Sequence, residues 1–79
     1  MSCYEFSAHP ATDHHLESFC SYMKNFDHVS WEIYFDDLSR LEGLFYTEDE
    51  FPISTTEYNN ILNWFKVHFL TVDIKENRP

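Results

Sequence analysis

The sequence predicts an α+β fold in which a small four-stranded antiparallel sheet is covered on one face by two helices. Apolar residues alternate with a period of two in some segments and recur at helical spacing in others. Along the chain these segments follow the order strand–helix–strand–strand–helix–strand, which is the ferredoxin-like βαββαβ order. With 79 residues, the chain is predicted to be a single domain, 1–79, in which residues 76–79 are a frayed tail.

The first strand and the first helix are predicted from the segment before residue 27. In residues 3–8, Tyr4 and Phe6 alternate with polar residues, which favours a short strand. Pro10 ends that strand, and Thr12 or Asp13 can cap a helix over residues 12–25. The apolar residues at helical spacing in this segment are Leu16, Phe19, Cys20, Met23 and Phe26.

Residues 28–46 allow two interpretations. Val29, Trp31, Ile33 and Phe35 alternate with polar residues, which predicts a strand, and Leu41 to Thr47 predicts a second strand with Gly43 as a bulge. Apolar residues in the same segment also fit a helix that begins at Ser30, and this helix would make the protein a three-helix bundle. The high density of β-branched and aromatic residues favours the two strands.

The second helix has the most specific local signal in the chain. Ser54 followed by Glu57 is a capping box, which predicts a helix start at this point. Beyond Val67 the period changes to two, and this change predicts a final strand. In that strand Leu70, Val72 and Ile74 are expected to face the core, whereas Thr71, Asp73 and Lys75 are not.

The charge of the chain suggests the class of its partner. Fourteen acidic residues against five basic ones give a formal net charge of −9. Such a charge opposes direct binding to nucleic acid or to an anionic membrane, and it accelerates the approach of a cationic partner. The segment from Trp31 to Phe51 concentrates this charge and mixes it with aromatic residues. We therefore expect a basic protein as the partner.

Catalytic and cofactor chemistry finds little support in the sequence. The neighbouring residues His14 and His15 would point about 100° apart on a helix, so they are expected to be exposed and not to share a metal ion. Cys20 lies on an apolar stripe, and Cys3 has no evident base beside it. We expect no enzyme activity, no metal and no cofactor. The absence of a signal peptide and of a transmembrane segment predicts a cytoplasmic protein with reduced thiols.

The candidate partner-binding residues come from the acidic and aromatic segment. They are Trp31, Glu32, Tyr34, Asp36, Asp37, Glu42, Tyr46, Glu48, Asp49 and Glu50. Carboxylates spaced by several ångströms imitate the phosphates of a nucleic acid, and aromatic rings add buried area and stack on arginine. Acidic residues nearer the N-terminus, namely Glu5, Asp13 and Glu17, are expected to contribute less.

In composition the chain resembles the small acidic inhibitors of phages and mobile elements, such as anti-CRISPR and anti-restriction DNA mimics and nuclease immunity proteins. This resemblance implies an inhibitory protein that occupies the basic nucleic-acid-binding surface of an enzyme or complex. One alternative is an antitoxin or immunity protein that neutralises a cationic toxin. Another is an assembly subunit whose exposed aromatic residues form a homodimer or larger homo-oligomer.

Overall fold

The computed structural model describes residues 2–34, 39–48 and 52–77. Its elements along the chain are β1 (Cys3–His9), α1 (Asp13–Met23), β2 (Ser30–Tyr34), β3 (Leu41–Tyr46), α2 (Thr55–His68) and β4 (Thr71–Glu76). The predicted α+β class, with a four-stranded antiparallel sheet and two helices, is confirmed. The three-helix bundle is wrong, because β2 and β3 pair with each other as antiparallel strands.

The sheet places β1 and β3 at its centre. Its strands are ordered β2-β3-β1-β4, and every neighbouring pair is antiparallel. One row of residues crosses all the strands through Ile33, Gly43, Phe6 and Ile74. Because successive residues of a strand point to opposite faces, the adjacent rows point away from the face that carries Phe6.

Both helices pack on the face of the sheet that carries Phe6. The Phe6 ring centroid lies 5.2 Å from that of Phe19 in α1 and 4.9 Å from that of Phe65 in α2. Phe19 and Phe65 are fully buried, as is Phe45 of β3. We call the opposite surface of the sheet the open face. By the strand registers it carries Cys3, Glu5, Ser7, His9, Ser30, Glu32, Tyr34, Glu42, Leu44, Tyr46, Thr71, Asp73 and Lys75.

The predicted capping box at the start of α2 is confirmed. The Glu57 N–H donates to the Ser54 hydroxyl oxygen at 3.1 Å, and the Ser54 N–H donates to the Glu57 carboxylate at 3.0 Å. The hydrogen bond from the Ser54 N–H lowers the pKa of Glu57, and the Ser54 side chain and the nearby His28 lower it further against the effect of burial. The ring of His28 lies 3.3 Å from the Glu57 carboxylate, so the cap also joins α2 to the segment before β2.

The start of α1 uses a histidine where α2 uses a glutamate. The Thr12 N–H donates to Nδ1 of His15 at 3.1 Å, and the ring of His15 lies 4.6 Å from that of Phe69. His15 is therefore half-buried, and the expectation that it is exposed is wrong, whereas His14 is exposed. Burial lowers the pKa of His15, and the charges of His14 and His68 lower it further.

Gly43 lies in a regular part of β3, so the predicted bulge is wrong. The residue pairs in register with Phe6 on one side and with Ile33 on the other. Its role is to leave room for its neighbours. A Cβ atom at this position would overlap the backbone oxygen of Glu32 and would lie 3.0 Å from Cζ of Phe6.

The C-terminal strand differs from the prediction at both ends. Val72 and Ile74 pack against the core as expected, but Leu70 is 90% exposed. Leu70 follows the end of α2 and precedes the first residue of β4, so the alternation of the strand does not yet apply to it. At the other end the Asn77 N–H donates to the Cys3 carbonyl at 2.8 Å. Strand pairing thus extends into the segment 76–79 that the sequence predicts as a tail.

Replacing Gly43 with alanine should destabilise the protein by about 1–3 kcal/mol, the usual cost of overpacking a well-filled site. The added methyl group forces the β2 backbone away from β3, because the Glu32 oxygen belongs to the main chain and cannot rotate aside. Denaturant unfolding monitored by circular dichroism measures the change. Thr71→Ala, at an exposed position of an edge strand, should alter stability by less than about 0.5 kcal/mol. Equal stability of Gly43→Ala and the wild type would contradict the packing role of the glycine.

The cap at His15 should make stability depend on pH. Because the folded state lowers the pKa of His15, the unfolded state binds the proton more readily. The stabilising contribution is therefore complete above the ordinary histidine pKa of about 6.5 and is lost as the pH falls through the lower folded-state value. His15→Gln keeps an acceptor for the Thr12 N–H but does not titrate, so its melting temperature should fall less on acidification. His9→Gln, outside the cap, is the control and should behave as the wild type does.

Candidate binding face

The open face aligns charged and aromatic side chains in rows that cross the sheet. One row joins Glu32, Leu44, Glu5 and Lys75, with one residue from each strand. Neighbouring strands lie about 4.8 Å apart, so the carboxylates of Glu32 and Glu5 are separated by roughly two strand spacings. This distance is close to the Debye length of about 8–10 Å at physiological salt, so their fields overlap.

The next row joins Tyr34, Glu42, Ser7 and Asp73. The Ser7 hydroxyl donates to Oε1 of Glu42 at 3.2 Å, and Nη1 of Arg40 lies 3.2 Å from the same oxygen. Hydrogen bonding and an ion pair therefore hold Glu42 in place and offset part of its charge. Glu5 and Glu32 are more exposed to solvent than Glu42 is.

The titrating groups of the open face report this field. Burial raises the pKa of the Cys3 thiol, and the charges of Glu5 and Glu32 raise it further. Burial also raises the pKa of Tyr34, and the same two carboxylates add to the effect. For Tyr46 burial again raises the pKa, and the charge of Glu32 is the next cause. Each of these groups loses a proton less readily, first because burial disfavours its charged form and then because its surroundings are already negative.

The electrostatics of this face favour binding a cation over nucleophilic chemistry. The thiolate is the reactive form of cysteine, and a raised pKa reduces its population at Cys3. The phenol of Tyr34, which is 45% exposed, stays neutral and keeps both its hydroxyl group and its ring face available. Neutral aromatic rings beside carboxylates are a suitable environment for lysine or arginine side chains.

A shallow depression of about 240 Å³ lies on the open face. Its lining residues are Glu5, Phe6, Ser7, Tyr34, Glu42, Gly43, Asp73 and Lys75. The volume suits one or two side chains of a partner and is below the range of about 300–1,000 Å³ typical of small-molecule pockets.

The structure divides the sequence-predicted site residues among different locations. Glu32, Tyr34, Glu42 and Tyr46 all lie on the open face. Trp31 lies on the helix-covered face, where its ring contacts Phe19 edge-on with centroids 6.4 Å apart. Glu48 is exposed just beyond the end of β3. Four predicted residues lie outside the described ranges, namely Asp36, Asp37, Asp49 and Glu50.

Sequence reasoning missed Glu5, Asp73 and Lys75 as members of the face. Glu5 pairs with Leu44, which in turn pairs with Glu32, so a residue far from the acidic segment becomes part of the same charged surface. The alternation of β1 identifies the face on which Glu5 lies. Only the pairing of β1 with β3 brings that face beside the acidic residues of β2 and β3.

Within the described ranges, no three His, Cys, Asp or Glu side chains converge as metal ligands would. Both cysteines are free, with Cys3 on the open face and Cys20 packed against the core from α1. No helix in this part of the chain combines the length and apolar character needed to cross a bilayer. Comparison with protein-family models, with curated proteins and with solved structures finds no match.

Glu32→Gln should lower the pKa of Tyr34, Tyr46 and Cys3 together, because the Glu32 charge raises the pKa of each. Titration followed by NMR resolves the tyrosines individually, and the pH dependence of alkylation in a Cys20→Ala background reports on Cys3. Glu17→Gln, which removes an exposed charge from α1, is the matched control. If both variants shift the three groups equally, the effect comes from net charge and not from the geometry of the face.

Proposed function

We propose that this protein is an acidic inhibitory binding protein whose open face occupies the basic nucleic-acid-binding surface of a target enzyme or complex. The observation that carries the proposal is the arrangement of Glu5, Glu32 and Glu42 beside Tyr34 and Tyr46 on the side of the sheet that neither described helix covers. The partner-binding role of the sequence-predicted residues on this face is part of the proposal, and Glu5 joins them.

Electrostatics supports a target that normally binds phosphates. A nucleic-acid-binding groove presents lysine and arginine to a dense row of negative charges. The carboxylates of the open face offer negative charge at strand spacing, and the formal net charge of −9 accelerates the encounter. A protein that fills such a groove competes with the nucleic acid directly and needs neither a catalytic residue nor a cofactor.

The aromatic side chains support specificity beyond charge. Tyrosine is enriched in the energetically important centres of protein interfaces because its ring buries area and its hydroxyl forms hydrogen bonds. Tyr34 lies at the edge strand β2 and Tyr46 at the end of β3, so the two tyrosines flank the exposed Glu32. An arginine of the partner that approaches Glu32 can stack on either ring.

We also infer that the arrangement of the elements is the ferredoxin-like one. The chain order βαββαβ supports this inference, as does the placement of β1 and β3 at the centre of the sheet. A two-layer arrangement of this kind leaves one sheet face available for a partner. A cytoplasmic location and an origin in a phage or another mobile element belong to the same proposal, and the two free cysteines agree with a reducing compartment.

Neutralising the open face should weaken partner binding. In the test variant Glu5, Glu32 and Glu42 become glutamine; in the control variant Asp13→Asn, Glu17→Gln and Asp27→Asn remove as many charges from exposed positions outside the sheet. Each protein is used to capture partners from the native host, and mass spectrometry identifies those retained. With the purified partner, the test variant should associate about tenfold more slowly than the control variant, and its rate should depend less on salt.

A competition measurement then separates the proposed function from its alternative. The wild-type protein should displace duplex DNA or RNA from the captured partner, whereas the open-face variant should not. A partner that is bound and inhibited without losing its nucleic acid would favour the antitoxin or immunity role. Equal loss of binding in both variants would mean that net charge alone determines binding. Full binding by the open-face variant would show that the open face is not the binding surface.

A further inference from the structure

One side of β4 has no neighbouring strand in the described part of the chain. The strand forms one edge of the sheet and pairs only with β1 among the described strands. The Asn77 N–H donates to the Cys3 carbonyl, and hydrogen-bonded pairs alternate along an antiparallel ladder. The backbone groups of Asp73 and Lys75 therefore point toward β1, and those of Val72 and Ile74 point outward. Such an edge is a template for another strand.

The charges of β4 select one way for two copies of this edge to pair. Asp73 and Lys75 both lie on the open face and are separated by one residue. The backbone groups of Ile74 point outward, so an antiparallel pair of two copies can be centred on this residue. In that register Asp73 of each copy lies opposite Lys75 of the other, because the two-fold axis repeats the contact. Shifting the register by one step in either direction places Asp73 opposite Asp73 or Lys75 opposite Lys75. Opposite charges stabilise a cross-strand pair and like charges destabilise it.

We propose that two copies of this chain associate through β4, in antiparallel register centred on Ile74, to form a continuous eight-stranded sheet. The Asp73 and Lys75 side chains can form ion pairs with a second copy, because they are 64% and 72% exposed. Within one chain their charged atoms lie 3.9 Å apart, which makes a long and weak ion pair. Leu70, which is 90% exposed immediately before the strand, adds apolar surface at the same edge.

The other edge of the sheet lacks this complementarity. On the open face β2 carries Ser30, Glu32 and Tyr34, so its single charge is negative. If two copies of β2 paired with their open faces on the same side, the two Glu32 side chains would lie directly or diagonally opposite each other across the strands. These like charges would repel each other. The dimer through β4 leaves β2 and its acidic neighbours uncovered at both ends of the larger sheet. This inference does not depend on the proposed inhibitory function.

Charge exchange tests the register. Asp73→Lys and Lys75→Asp each place like charges opposite each other at both symmetry-related positions, so each single variant should dimerise about tenfold more weakly or worse. The double variant Asp73→Lys/Lys75→Asp restores opposite charges and should dimerise as the wild type does. An equimolar mixture of the single variants should form a heterodimer, because each pair then joins a lysine to an aspartate. Sedimentation equilibrium over a wide concentration range measures all four cases.

Folding controls and three contrary outcomes accompany the dimerisation measurement. Circular dichroism melting should show that every variant is folded, since the substituted side chains are exposed. A wild-type protein that stays monomeric at millimolar concentration would overturn the proposal. Dimerisation that is insensitive to the exchanges, or that is disrupted by Lys75→Asp and not by Asp73→Lys, would assign the contact to another surface. Failure of the open-face variant to bind a partner leaves this test unaffected, because that variant retains Asp73 and Lys75.

Discussion

The position of Phe6 determines most of this structure. Its ring packs between Phe19 of α1 and Phe65 of α2, so one side chain of the central strand fixes both helices on the same face. The close approach depends on Gly43, which pairs with Phe6 and has no side chain to occupy the space. Because a strand alternates with a period of two, burying Phe6 turns Glu5 and Ser7 to the opposite face. The acidic open face is thus a direct consequence of the way the core is packed.

The aromatic residues serve the core more than an exposed surface. Trp31 and Trp64 both contact Phe19, and Trp64 also stacks on Tyr22 with centroids 5.5 Å apart. A small domain has little interior volume, and each aromatic ring buries more area than an aliphatic side chain does. The helix layer of this protein is therefore built largely from ring contacts. Among the described phenylalanine, tyrosine and tryptophan residues, Tyr34 is the exposed one, at 45%, and it lies on the open face.

Local patterns predicted the elements well because each depends on neighbouring residues. The Ser54–Glu57 capping box located the start of α2, and the strand patterns in residues 3–8 and 41–47 located β1 and β3. Errors arose where a tertiary contact decided the outcome. His15 packs on Phe69 of a distant segment, and the backbone of β2 leaves no room for a side chain at Gly43. The site was predicted only in part for the same reason: Glu5 joins Glu32 through strand pairing, which no local pattern of either residue contains.

The open face and the β4 edge arrange charge in opposite ways. On the open face Glu5 and Glu32 repel each other at about two strand spacings, and this self-repulsion lowers the stability of the folded chain. At the edge Asp73 and Lys75 alternate in sign, so an identical edge can complement them. A cation near both carboxylates would relieve the repulsion on the open face, whereas the proposed second copy would complement the charges of the edge. Under the proposed function this relief would contribute to the affinity for a basic partner, because a positive charge brought near Glu5 and Glu32 is attracted by both carboxylates.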